Sequence, residues 1–219
     1  MGKAKLHDGR GMVMCRATLC ATIVLAARPA LGQDGAAMRE PDVEAARTYF
    51  RIAFAGPCSG SFGGVVDGME PQAYVLPLEP AYSTDDPGDA ILYGFACSAG
   101  AYNVTTVWVI DVGDRAFGLA PVSFPEPVTS FEYADEEQTR LATYEMSGFT
   151  SANELFNATF DPQTLTMRSL GLSRGMGDAW SAGTWRFQDG RFVLERYEVD
   201  PTFDGDGEGG IVVYDATGD

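Results

Sequence analysis

Four acidic side chains near the C-terminus stand at the spacing of a twelve-residue calcium loop. In "DGDGEGGIVVYD", residues 204–215, Asp204, Asp206, Glu208 and Asp215 occupy positions one, three, five and twelve, with Gly209 sixth and Ile211 eighth. Calcium takes about six to eight oxygen ligands, and alternating carboxylates around a tight glycine turn can supply them. In that reading Asp204, Asp206 and Glu208 ligate directly, Gly210 through its carbonyl, and Asp215 from the last position. The flanks point the other way. A calcium hand needs a helix on each side, whereas "RFVLERYEVDP" before the loop and "IVVY" within it read as strands. Two expectations follow, a calcium site or an acidic turn that launches a last strand, and the context favours the turn.

A second constellation is "SRGMGDAW", residues 173–180. Arg174 beside Asp178 and Trp180 could bind a carboxylate or the face of a sugar. The alternative, which the two glycines favour, is a glycine-shaped turn holding a local Arg–Asp pair. "GAYN", residues 100–103, adds Tyr102, as suited to a core as to a ligand. The candidate binding residues are therefore Tyr102, Arg174, Asp178 and Trp180. "GSFGG", residues 60–64, is not a phosphate loop, because it lacks the lysine and the following helix. Paired carboxylates could hydrolyse a glycoside, but no motif singles out two of them.

What surrounds these residues narrows the chemistry. Lys3, Lys5, Arg10 and Arg16 precede the apolar run "ATLCATIVLAA" at residues 17–27, and Ala30 and Gly32 stand just before Gln33. This is the three-part pattern of a secretory signal peptide, residues 1–32, cleaved before Gln33. The run is too short to span a bilayer, so the mature chain is expected in the periplasm or secreted, without membrane insertion. Cleavage would remove both lysines and the single histidine, His7. It would leave 10 arginines against 30 acidic residues, a formal charge of −20 in place of −16 for the 219-residue chain. Such a chain has no Ser–His–Asp or Cys–His system, no histidine-ligated zinc and no Schiff-base lysine. Its field disfavours nucleic acid and suits a basic protein, a cation or a neutral small ligand. No cofactor is implied beyond the possible calcium. Cys15 and Cys20 would leave with the signal, and Cys58 and Cys97 are expected to pair as a disulfide.

The elements that must position these residues are mostly strands. Residues 33–41 read as a mobile leader, and residues 42–219 as a single β-rich domain. "DVEAARTYFRIAFA", residues 42–55, is the one convincing helix, capped by Asp42 with Val43, Ala46, Phe50 and Phe54 on one face. From about residue 73 short strands alternate with glycine- and proline-rich turns. "AYVLPLEP" suits an edge because Pro77 cannot donate to a ladder. "AILYGFAC" and "VTTVWVIDV" are strong strands, and the proline-flanked Glu126 with "YADEEQ", residues 133–138, reads as an acidic surface connection. "NELFNATF" and "TLTMRSLGL" flank Asp161-Pro162, and Asp189-Gly190 carries the best hairpin signal. The expected fold is mainly β, an antiparallel meander forming a sandwich or open barrel, with one N-terminal helix.

The segment from Leu155 to Pro201 resembles the end of the bacterial family known as domain of unknown function 1176. The resemblance rests on Phe160-Asp161-Pro162 with Leu165, on Arg174, Gly175, Gly177 and Asp178, and on Trp185, Asp189-Gly190, Phe192 and Leu194. Upstream, "CSAGAYN" at residues 97–103 is similar to the family's own segment, so the likeness spans about residues 90–215. The family pattern places a cysteine after its glycine turn and another after the final hairpin, where this chain has Ala179 and Thr202-Phe203. The resemblance implies an exported envelope protein of β-rich fold and no particular activity. The functional expectation is a non-catalytic exported protein that binds a partner or small ligand, ahead of a calcium-binding domain and then a carboxylate hydrolase.

Overall fold

The apolar stretch at residues 90–97 becomes a strand buried on both faces. In the computed structural model, which describes residues 39–59, 70–79, 88–113 and 118–218, this strand is β2 (Asp89–Ala99). The segment read as a signal peptide, most of the segment read as a leader and "GSFGG" lie outside the described residues. β2 pairs antiparallel with β1 (Gln72–Pro77) on one side and β3 (Val104–Asp111) on the other. The far edge of β3 carries β4 (Leu119–Pro121) along one half and β7 (Glu154–Phe156) along the other. Pro77 sits on an edge strand as expected.

Alternation along β2 sends successive side chains to opposite faces. Ile91, Tyr93, Phe95 and Cys97 meet Ala46, Phe50 and Phe54 of helix α1 (Val43–Ala53) and its C-terminal turn. Phe50 stacks on Phe95 with ring centroids 4.7 Å apart. The Asp42 carboxylate caps the helix by accepting from the Ala45 N–H at 2.9 Å. Beyond the helix Cys58 is bonded to Cys97, their Cα atoms 4.7 Å apart. Closing a loop of that length stabilises the fold by roughly 3–4 kcal/mol on the chain-entropy account. Arg39, near the end of the segment read as leader, is paired with Asp111 and also donates to the Asp89 carbonyl.

Ala90 and Leu92 face the second sheet, in which β8 (Thr159–Asp161), β9 (Thr166–Leu172), β10 (Trp180–Gln188), β11 (Arg191–Asp200) and β12 (Ile211–Asp215) lie in sequence order. Leu76, Trp108 and Ile110 from the first sheet and Phe160, Met167, Trp185, Phe192 and Leu194 from the second form the main core. Two tryptophans fit because glycines face them. A Cβ on Gly94 would stand 2.7 Å from the Trp108 ring, and one on Gly183 would stand 2.0 Å from that of Trp185. The layers are thus helix, sheet and sheet: a sandwich, with no closed barrel among the described residues.

Two sequence expectations are corrected. The stretch around Glu126 is not a connection but β5 (Phe124–Tyr133), which pairs with β6 (Leu141–Ala152) as a long two-stranded ribbon. Only residues 134–140 form its tip, where the Asp135 carboxylate accepts from the Thr139 N–H and hydroxyl, each at 2.8 Å. Those bonds, with Arg140, hold the Asp135 pKa down to about 2. "NELFNATF" is not one strand: β7 joins the first sheet and β8 the second, with Asn157 between them at φ 45°. Asparagine tolerates that left-handed backbone. Its side chain fixes the crossing, accepting from the Val104 N–H at 2.9 Å and donating to the Leu170 carbonyl at 2.9 Å. The apolar alternation runs through the break, so nothing local marks it.

Candidate functional site

The glycine turn at residues 173–180 connects β9 to β10, closed by Ser173 N–H to the Ala179 carbonyl at 2.8 Å and Gly177 N–H to that of Arg174 at 3.1 Å. This places Arg174 and Asp178 one helical-like turn apart, and they pair. Arg174 Nε donates to Asp178 Oδ1 at 2.7 Å, and its Nη2 engages Oδ2. Asp178 is 1% exposed, and its Oδ2 also accepts from the Gly205 N–H at 3.0 Å. The guanidinium reaches further, donating to the Phe203 carbonyl at 3.1 Å and lying 5.1 Å from the centroid of the Phe203 ring. The hydrogen bond from Arg174, first, and that from Gly205 hold the Asp178 carboxyl far below the usual carboxylate range.

Trp180 continues the same work. Its indole N–H donates to the Gly207 carbonyl at 3.1 Å. Gly210 lies so close that a Cβ there would stand 2.6 Å from the ring, and one on Gly207 would stand 2.8 Å from the Gly177 carbonyl oxygen. On the other side of the turn, the Tyr102 hydroxyl donates to the Ser173 carbonyl at 3.1 Å. Its ring covers Gly175, where a Cβ would be 3.4 Å away. Asn103, which sequence reasoning passed over, binds Leu172 in both directions: Nδ2 to its carbonyl at 2.8 Å and Oδ1 from its N–H at 3.1 Å. The Tyr102, Arg174, Asp178 and Trp180 expectation therefore picks out residues that do converge, but on each other and on the chain at 203–210. The glycine turn and the acidic loop are two halves of one junction.

Within the acidic loop, Asp204 Oδ1 accepts from the Asp206 N–H at 2.8 Å and Asp206 Oδ1 from the Glu208 N–H at 3.0 Å. These are Asx turns, in which a side chain imitates a backbone acceptor. Asp215 stands apart on β12, paired with Arg196 at 2.6 Å and accepting from the Thr217 N–H at 2.8 Å. Asp204, Asp206, Glu208 and Asp215 are not gathered as ligands, and among the described residues no three histidine, cysteine or acidic side chains are placed to hold a metal. One oxygen faces the loop without a hydrogen-bond partner: Oδ2 of Asp200, a residue 1% exposed, lies 3.1 Å from where a Gly209 Cβ would be.

The sequence profile of the family described as Protein of unknown function (DUF1176) matches residues 87–210, more than half of the chain. The chain belongs to this family. The family match takes in β2 through β11 and leaves out α1, β1 and β12, so the disulfide ties Cys58 outside it to Cys97 within it. The protein of Escherichia coli (strain K12) described as "Uncharacterized protein YpfG" is 30% identical over 117 residues, which are 53% of this chain and 29% of that protein. The chain thus matches less than a third of that relative's length. No solved structure matches it.

Sequence reasoning missed the ribbon. No residue of β6 is buried, and Tyr144, Met146 and Phe149 are 41%, 39% and 50% exposed. The ribbon is held at its base by Trp185, whose indole N–H donates to the Pro125 carbonyl at 2.8 Å, and by Ser123 to Ser151. At its tip the Tyr133 hydroxyl donates to the Pro201 carbonyl at 2.9 Å and the Phe203 N–H to that of Gln138 at 3.0 Å. Glu126, half-buried on β5 near Tyr197, has its carboxyl pKa raised by desolvation. The signal that could have found β6 is its length without a charge run: twelve residues carrying one acid and no proline.

Proposed function

We propose that this protein is exported to the bacterial envelope and acts there by binding another protein, not by catalysing a reaction. One observation carries the reading. The polar residues best suited to chemistry take one another as partners, while a long strand with exposed aromatic and apolar side chains lies open. Export is supported by the three-part N-terminal pattern and by the Cys58–Cys97 disulfide, a bond that persists in oxidising compartments. Absence of lysine and histidine after residue 32 leaves few routes to nucleophilic catalysis.

The test has two parts. The chain recovered from the envelope should begin at Gln33 and contain no free thiol by mass spectrometry. A photo-crosslinking residue at Met146 should give a defined adduct in the exporting cell, and one at Met176, which is 70% exposed on the glycine turn, should not. An intact N-terminus with free thiols, or no adduct from either position, would overturn the reading. A second reading, calcium at the acidic loop, draws on the lone Asp200 Oδ2 facing Gly209. Titration calorimetry with calcium decides it: heat abolished by Asp200→Asn supports it, and no heat removes it.

A further inference from the structure

We propose that β6 is the docking edge for an extended, basic segment of the partner, which adds to the β5–β6 ribbon as a third strand. This deepens the binding function proposed above and rests on it.

Every strand has two hydrogen-bonding edges, and an edge left open is a template for another chain unless it is short, charged, kinked or broken by proline. The open edges of this protein differ in that respect. β1 has six residues and carries Pro77; β8 has three; β12 has five and ends at Asp215. β5 carries Pro125 and Pro127. β6 has twelve residues, no proline and one charged side chain, Glu145. It pairs with β5 along one edge, and among the described residues no strand occupies the other. β6 is the longest of these edges and has no proline; bulges at Ala142 and Ser147 interrupt it and leave residues 143–146 and 148–152 as the regular stretches a strand would pair with.

The side chains and the anchoring fit the same role. Strand addition takes affinity from backbone hydrogen bonds and selectivity from side chains on alternate positions. Tyr144, Met146 and Phe149 offer apolar contact along β6, with Phe149 set edge-on to Tyr214 of β12 at 5.2 Å. The ribbon is fixed at base and tip, so little order must be gained when a strand arrives.

Charge selects the occupant. Residues 124–152 contain six acidic residues, Glu126, Glu132, Asp135, Glu136, Glu137 and Glu145, against Arg140, which is already paired with Asp135 at 3.1 Å. A second copy would bring the same acidic ribbon, within a chain of formal charge −16, against its like. A segment rich in arginine or lysine meets complementary potential instead.

The experiment titrates the purified chain with labelled peptides of about ten residues in which arginine alternates with valine or tyrosine. Fluorescence anisotropy should show binding that weakens about tenfold or more when glutamate replaces arginine or when Glu145→Lys is combined with Glu137→Lys. Peptides N-methylated at alternate backbone positions separate a ladder from simple charge attraction: methylation in one phase should abolish binding and in the other should spare it. Both variant positions are exposed, and unchanged circular dichroism will confirm that the fold is kept. Equal binding of the two methylated phases, equal binding of the acidic peptide, or sedimentation showing that the chain instead dimerises through β6 would each overturn the proposal. If Met146 still crosslinks in the cell while no basic peptide binds, this inference falls and the partner-binding reading stands. If neither occurs, both fall.

Discussion

The junction at residues 173–180 and 203–210 and the ribbon of β5 and β6 are opposites in what they show and what they leave open. The junction holds the residues that suggest chemistry, an arginine, a buried aspartate, a tryptophan and a run of acids, and gives them partners within the chain. The ribbon holds ordinary strand residues and, among the described residues, one of its edges carries no further strand. The Arg174–Asp178 clasp to Phe203 and Gly205 ties the glycine turn to the acidic loop.

The largest effect should come from crowding the junction. Gly210→Val adds bulk where even a Cβ would stand 2.6 Å from Trp180, and should cost about 2–3 kcal/mol in denaturant unfolding. A loss under about 0.5 kcal/mol would mean that the loop is not clamped.

Acid should separate the regions next. Because the folded pKa of Asp178 is depressed, its contribution to stability is complete above about pH 4 and is lost as pH falls through the folded value. Asp178→Asn should therefore destabilise at neutral pH, with the difference shrinking below about pH 4. Melting curves that stay parallel down to strong acid would contradict the pairing. Glu126 on the ribbon has the opposite sign. Its raised folded pKa means that the folded state bears a desolvation cost above that value and none below the unfolded value, near pH 4.3. Glu126→Gln should raise the melting temperature at neutral pH and leave it unchanged at about pH 4. The smallest effect belongs to the open strand: Tyr144→Ser with Met146→Ser should change stability by no more than about 0.5 kcal/mol while reducing partner binding.

How far the sequence could be read follows from where each pattern has its cause. The helix cap at Asp42, the Asp189-Gly190 hairpin with φ of 45° and 85°, and the doubly buried β2 depend on neighbours in sequence, and each stands where local pattern placed it. The Cys58–Cys97 bond was legible by arithmetic. The ribbon was not, because β6 has no buried face to impose alternation and the prolines of β5 look like a loop. At the candidate site, residue types were legible and partners were not. Arg174 and Asp178 meet Phe203 and Gly205, 29 and 27 positions along the chain, and no local spacing encodes those contacts. The calcium spacing of residues 204–215 failed to gather ligands for a related reason: Asp215 belongs to a strand whose register puts it opposite Arg196.

Amide hydrogen exchange of the purified chain, with and without the arginine-alternating peptide, compares the two regions in one measurement. The expected result is slow exchange at the junction in both states and new protection confined to Leu141–Ala152 when the peptide is present. Protection that appears instead at residues 173–180 and 203–210, with β6 unchanged, would contradict the account.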